Sequence, residues 1–350
     1  MTTEDPGNFR EENSELYEHF RIEVDPGQAH TRIDKFLFNR IQNASRNKIQ
    51  TAAKAGNVLV NEQAVKSNYK VRPGDVISIV MSHPPRDVDI TPEDIPLIIH
   101  YEDDDVIIVN KQAGLVVHPG HGNYTGTLLH GLAYHFQQSG QSNIENGFGY
   151  LVHRIDKDTS GLLLVAKNEE AQTKLAKQFF DHTIDRTYEA LVWGEPKEEE
   201  GTIEGSIARN PHDRTQMTVF PENEKGKEAI THYKILRKFG YVSLLECVLE
   251  TGRTHQIRAH LKYMGHPLFN DQKYGGHQIL KGTTFTKYKQ FVQNCFKIIP
   301  RQALHARSIG FVHPKTGKKL SFTSDLPDDM KEVLAKWEHY TVRKQLDEEV

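Results

Sequence analysis

The chain is poor in several features that mark out whole classes of protein. Two cysteines, Cys247 and Cys295, in 350 residues exclude a disulfide framework; both are expected to pack as small apolar side chains in a reducing cytoplasm. No apolar run approaches the ~18 residues of a membrane helix, and the first twenty residues are acidic and polar, so neither a membrane span nor a secretion signal is expected. There is no internal repeat of solenoid period. Metal ligands in workable spacing are also lacking: His118, His121, His130 and His135 have no acid or cysteine at ligand distance along the chain, and Asp103, Asp104 and Asp105 read as an acidic hairpin tip.

A net excess of positive charge is lacking overall, the formal net charge being −3, but the charge is not evenly spread. Residues 1–20 carry one basic and six acidic groups, whereas residues 21–82 carry ten basic and five acidic. A compact segment with that excess is the footprint of a module that meets a polyanion. The length accommodates about two domains, each able to bury a core. The chain divides into an acidic tail (1–20), the basic module (21–82), a proline-rich linker (83–96), a larger domain (97–330) and a closing helix with an acidic end (331–350).

In the basic module Thr31 is placed to cap a helix whose Ile33, Phe36, Leu37 and Ile41 form one buried stripe, and Ser45 to cap a second over Arg46–Lys54, with Gly56 past its end. Val58–Asn61 and Val76–Val80 read as strands. In the larger domain, helices are expected over Thr127–Gln138 and Glu169–Phe180, strands over Val106–Val109, Arg186–Gly194 and Tyr241–Thr251, and a helix from Arg253 to Leu261. The polar stretch 277–298 reads as an inserted loop. Strands outnumber helices, so the larger domain is expected to be α+β with a mixed, largely antiparallel sheet, preceded by a small α/β module.

The organising stretch is Tyr150–Lys167, in which His153, Arg154, Asp156, Lys157 and Asp158 form a polar loop before the apolar run Leu162–Ala166. A carboxylate flanked by Arg and Lys before the turn Thr159-Ser160-Gly161 can serve as a nucleophile or an electrostatic stabiliser, and a salt-bridged turn is the plainer alternative. The string His-Arg-Ile-Asp-Lys-Asp-Thr-Ser-Gly-Leu resembles a motif of the pseudouridine synthases that act on large-subunit ribosomal RNA. Asn110-Lys111-Gln112-Ala113-Gly114 resembles another motif of that family, with Gln112 where proline is usual. The run Arg32–Leu37, Ser45-Arg46, Gly56–Asn61 and Gly74-Asp75 resembles the small RNA-binding fold named after the fourth small-subunit ribosomal protein.

The resemblance implies a base-flipping isomerase with no cofactor. It implies that Asp156 is the catalytic carboxylate, that Arg253 pairs with it, and that Tyr188 stacks on the target base and takes part in proton removal. Arg154 takes the place of the extruded base, and His153, His255, Gln256 and Arg258 contact RNA or support the site. Leu163 and Ile257 wall the pocket. Arg32, Lys35, Arg46 and Lys48 are expected to meet phosphates. The expected partner is 23S ribosomal RNA or a large-subunit precursor, bound by a cytoplasmic monomer. A family member acting on transfer RNA, a non-catalytic assembly factor and a hydrolase using Asp156 with Asp158 are the alternatives. The hydrolase suffers from placing both carboxylates on one turn.

Overall fold

The computed structural model describes residues 17–41, 44–81, 90–120, 123–141, 147–213, 215–222 and 225–348. Most of the expected acidic tail, the linker up to residue 89, His121 and the last two residues lie outside the described residues. The chain separates into two compact units, Met1–Asp89 and Ile90–Val350. No helix of the described residues is long and apolar enough to cross a membrane.

The first unit contains β1 (Tyr17–Glu23), α1 (Ile33–Phe38), α2 (Arg46–Lys54), β2 (Val58–Val60), β3 (Gln63–Ala64) and β4 (Val76–Met81), its four strands forming an antiparallel sheet in the order β1-β4-β2-β3. Ile33, Phe36 and Leu37 of α1 and Ile49 and Ala53 of α2 pack on Val58, Val60 and Ile77. Thr31 does not cap α1: the helix starts one residue later, after Arg32, with no side-chain cap, and the Ile33 N–H donates to the Tyr69 carbonyl at 2.7 Å. Ser45 does cap α2, its Oγ accepting from the Lys48 N–H at 3.3 Å.

The second unit runs β5 (Ile99–Glu102), β6 (Val106–Lys111), α3 (Leu128–Gln138), β7 (Tyr150–Leu151), β8 (Ser160–Ala166), α4 (Glu169–Phe180), β9 (Asp185–Trp193), β10 (Glu200–Arg209), β11 (Met217–Phe220), β12 (Lys227–Lys238), β13 (Val242–Leu249), α5 (Gln256–Tyr263), α6 (Thr286–Ile298), β14 (Leu304–Val312), β15 (Lys319–Thr323) and α7 (Asp328–Glu348). The strands make one 11-stranded sheet in the order β11-β10-β12-β13-β9-β14-β8-β6-β5, with β15 on β14 and β7 on β8. Among the described strands only β8 and β14 pair in parallel, so the sheet is mixed and largely antiparallel and the unit is α+β.

Alternation along β9 decides what faces the site. Tyr188, Ala190 and Val192 join a core with Ile155, Ile257 and Leu304, while Leu191 and Trp193 point to the other face, into an aromatic core with Phe269, Phe296 and Trp337. The supposed loop 277–298 supplies much of that second core. It contains α6, which buries Tyr288, Val292, Cys295 and Phe296 at helical spacing, a stripe concealed by the polar residues between. Strand β8 is buried on both faces, which explains its unbroken apolar run, and its Gly161 permits a close crossing: an added Cβ would lie 2.2 Å from the Ala306 carbonyl oxygen.

Candidate active site

The loop between β7 and β8 brings Asp156 to a cavity of about 260 Å³ bordered by Tyr188, Arg186, Arg253, Ile257 and Leu304. Two buried cations fix the loop through its backbone. Lys111 Nζ donates to the carbonyls of Gln112, Leu115 and Lys157 at 2.9, 2.8 and 2.8 Å, and the Gly114 N–H donates to the same Lys157 carbonyl at 3.0 Å. On the other side, Arg301 Nη1 donates to the Asp158 carbonyl at 3.0 Å while its fork is held by Asp329 at 2.8 and 2.9 Å. Lys111 is 1% exposed, and burial lowers its pKa to about 7. Three carbonyls match the three donors of an ammonium, so the side chain serves as a bracket between the Lys111–Leu115 turn and the Asp156 loop.

Arg258, rather than Arg253, pairs with Asp156. Its Nη1 donates to Asp156 Oδ2 at 2.8 Å, while Nε and Nη2 form a two-pronged bond with the fully buried Asp271 at 2.7 and 2.9 Å. Burial works against the guanidinium charge, but the two carboxylates outweigh it and raise the pKa of Arg258. The expectation fails at Arg253 because α5 begins at Gln256, three residues later than its spacing suggests. Arg253 therefore sits in the preceding turn, with Nε donating to the Glu228 carbonyl at 2.9 Å, and Arg258 occupies the inward face of the helix.

The other expected site residues differ in what surrounds them. Tyr188 is 7% exposed and borders the cavity; burial raises its pKa, which keeps the phenol protonated at neutral pH. His153 accepts from the Leu164 N–H through Nε2 at 2.9 Å and stacks on Phe179 at 4.8 Å, and burial, with Arg186 nearby, lowers its pKa to about 3. Arg154 is exposed on the rim, and Ile257 walls the cavity. Gln256 is not available to RNA: its amide oxygen accepts from Thr251 Oγ1 and the Arg253 N–H at 2.7 and 2.9 Å, and its nitrogen donates to the Ile230 carbonyl and Thr231 Oγ1 at 2.9 and 3.0 Å. Leu163 is fully buried in the core and is not part of the cavity wall; it belongs to the cluster that includes Leu128, Leu129, Leu132 and Phe136 of α3.

His255, expected with His153, Gln256 and Arg258 to support the site or contact phosphate, and the unforeseen Asp271 and Arg301 complete the arrangement. His255 has φ +53° at the start of α5, shares a 2.9 Å hydrogen bond with the Tyr274 hydroxyl through Nδ1, and holds Nε2 3.8 Å from Asp156. Burial lowers its pKa although Asp156 pulls the other way. Asp271 and Arg301 lie in loops with no sequence signature, whereas Lys111 closes an apolar strand, a legible oddity.

In the first unit the organising group is Asp34, also unforeseen as such. Its buried carboxylate accepts from Arg32 Nε and Nη2 at 3.1 Å each, Arg46 Nη2 at 2.9 Å and Gln50 Nε2 at 2.7 Å. Burial alone would push its pKa up; these donors more than offset that and hold it well below the usual carboxylate range. Arg32 and Arg46 remain 45% and 42% exposed, and Lys35 and Lys48 are exposed. The acidic tip of the other unit offers little to a metal: Asp103, Asp105 and His313 lie within 4.8 Å of one another, but Asp103 already accepts from the Tyr101 hydroxyl, two backbone N–H groups and His313.

Comparison with known proteins bears on both units. Residues 105–263 match the family model for RNA pseudouridylate synthases, and residues 31–77 match the S4 domain. The chain is 44% identical over 320 residues to an uncharacterized RNA pseudouridine synthase of Chlorobaculum parvum, covering 90% of this chain and 96% of that one. It is 42% identical over 313 residues to the ribosomal large subunit pseudouridine synthase D of Nitrosomonas europaea, covering 89% and 86%. Among solved structures, human RNA pseudouridylate synthase domain containing 4 shares the fold, with a TM-score of 0.53 at 22% identity over 69% of this chain and 93% of that one.

Proposed function

Because the chain belongs to the RNA pseudouridine synthase family, we propose that it isomerises uridines of 23S ribosomal RNA or its large-subunit precursor, with Asp156 as the catalytic carboxylate. The observation that carries the residue assignment is the 2.8 Å contact by which Arg258, itself held by buried Asp271, aims Asp156 into a cavity lined by Tyr188. The large-subunit target is supported by the relatives of Nitrosomonas europaea, Zymomonas mobilis and Haemophilus influenzae, each named for that reaction. A cytoplasmic monomer is part of the same reading.

The reaction breaks the bond from N1 of uracil to C1′ of ribose and forms one from C5 to C1′; the proton on C5 leaves and N1 gains one. Atoms and electrons balance within the substrate, so the chain's own residues can supply what the reaction needs. Asp156 acts at the glycosidic bond, and Arg258 fixes its rotamer. The uridine enters the cavity unstacked from its neighbours, with Arg154 on the rim to fill the gap in the helix. Tyr188 offers the detached uracil an aromatic face while it turns. As a protonated phenol it is not the resting base for the C5 proton. In the first unit Lys35 and Lys48, with the outward parts of Arg32 and Arg46, meet backbone phosphates.

Large-subunit RNA labelled with tritium at C5 of uridine tests this. The protein should release label to water and Asp156→Asn should not; binding without release would mean a non-catalytic platform, and free uracil a hydrolase. Release from transfer RNA alone would move the target and keep the chemistry.

A further inference from the structure

The cavity walls hold more positive charge than the chemistry at Asp156 uses. Four arginines border the cavity, Arg154, Arg186, Arg253 and Arg258, against the single carboxylate of Asp156. Arg258 is matched by Asp271 and Asp156, whereas Arg186 and Arg253 have no acid partner among the described residues. Arg186 is the more telling of the two. It is 7% exposed, its Nε has no hydrogen-bond partner among the described residues, and its Nη2 reaches only the Glu250 carbonyl at 3.5 Å. A guanidinium that is buried without a counter-charge is unfavourable unless an anion joins it.

Its surroundings keep it in place. The guanidinium lies 5.4 Å from the ring centre of Phe179. Gly252 leaves the space it occupies, since a Cβ there would come within 2.8 Å of Nη1. The next residue is Arg253, whose Nε is bound to the Glu228 carbonyl while its fork has no acid. Burial lowers the pKa of Arg186; Tyr188 pulls the other way, and the nearby Arg253 charge adds to the lowering. Arg186 also lies on the Tyr188 face of β9, two residues nearer the strand's start, or about 7 Å along it. Both side chains border the same cavity.

We infer that Arg186 and Arg253 form a phosphate subsite, which takes the phosphodiester of the flipped uridine while its base lies against Tyr188. The inference rests on the reading of this cavity as the seat of a uridine nucleotide. The phosphodiester is the one group of that nucleotide with a full negative charge, and a pair of planar forks suits its oxygens better than a neutral uracil carbonyl.

Titration of uridine, uridine 5′-monophosphate and uridine 3′-monophosphate into the full chain, followed by calorimetry, tests the subsite. One of the monophosphates should bind roughly tenfold more tightly than uridine. The gap should fall below about twofold in Arg186→Met, narrow in Arg253→Met and largely persist in Arg186→Lys, which keeps the charge. Equal binding of uridine and both monophosphates to the unaltered protein, or no binding of a monophosphate, would overturn the subsite. So would a gap that survives Arg186→Met, or an equal loss for uridine itself, which would place the guanidinium on the base. Trp193 and Trp337 fluorescence reports whether Arg186→Met folds; if it does not, Arg253→Met and Arg186→Lys carry the test. Tritium release by the unaltered protein is read separately: release without phosphate preference rejects the subsite alone, and no release rejects the function on which it rests.

Discussion

Each unit is organised around an aspartate held by arginine, and the two are built the opposite way round. In the first unit the acid is the fixed partner: Asp34 is wholly buried, and Arg32 and Arg46 reach to it from positions 45% and 42% exposed. In the second the arginine is fixed: Arg258 is 5% exposed, anchored by buried Asp271, and the side chain it presents outward is Asp156, 21% exposed. Whichever partner is buried fixes the position, and on the proposed function whichever is half exposed meets the substrate. A surface for RNA phosphates needs cations outward, and a reaction at a ribose carbon needs a carboxylate outward. The same ion pair serves both needs by exchanging which member is sunk in the protein.

The comparison can be broken by removing each anchor. Arg258→Met leaves Asp271 buried without its cation and should lower the stability of the second unit by about 3–5 kcal/mol, read by urea unfolding with Trp193 and Trp337 as probes, both of which lie in that unit. Asp34→Ala frees two arginines that can turn to water, so the first unit should lose less, about 1–3 kcal/mol by hydrogen exchange in α1 and α2. Equal losses would remove the distinction between the two designs.

Acid sharpens it further. His260 and His305 are buried, and burial lowers the pKa of each to about 4 from an ordinary 6.5. Between those values the unfolded chain binds protons that the folded chain refuses, so the second unit should lose stability as pH falls from 6.5 toward 4. The depressed Asp34 carboxyl acts in the same direction but at lower pH. Its contribution is complete above the ordinary value of 3.8 and is lost only as pH falls below it. Unfolding midpoints against pH should therefore decline first for the tryptophan signal, and a simultaneous decline in the first unit would contradict this. The smallest change in stability is expected for Lys35→Ala with Lys48→Ala, within about 0.5 kcal/mol. The slope of log affinity for RNA against log salt should nevertheless fall by roughly 1.4–1.8 if both meet phosphates.

Much of this architecture could be read from the chain, and the limits were physical. Asp156 was legible because it stands in a dense motif just before a strand buried on both faces, and Ser45 because a cap bond is local. The error at Arg253 arose five residues from the correct arginine. The choice between them depends on where α5 begins and on Asp271, thirteen residues beyond Arg258 in a loop that carries no pattern. Gln256 looked like a polar residue of the site, yet its four hydrogen bonds go to Thr251, Arg253, Ile230 and Thr231, the last two brought near only by the folded sheet. Lys111 and Arg301 brace the Asp156 loop through backbone carbonyls, acceptors that every residue possesses and no sequence displays. The polar stretch that forms α6 hid its apolar stripe behind lysines and glutamines.

The most direct test of how Asp156 is presented is the single-turnover rate of tritium release by Asp271→Asn, measured beside its RNA affinity. Loss of the Asp271 charge should loosen Arg258 and misplace Asp156, slowing the chemical step about a hundredfold while affinity stays within about twofold. An unchanged rate in a folded Asp271→Asn protein would contradict the claim that the buried acid positions the catalytic one.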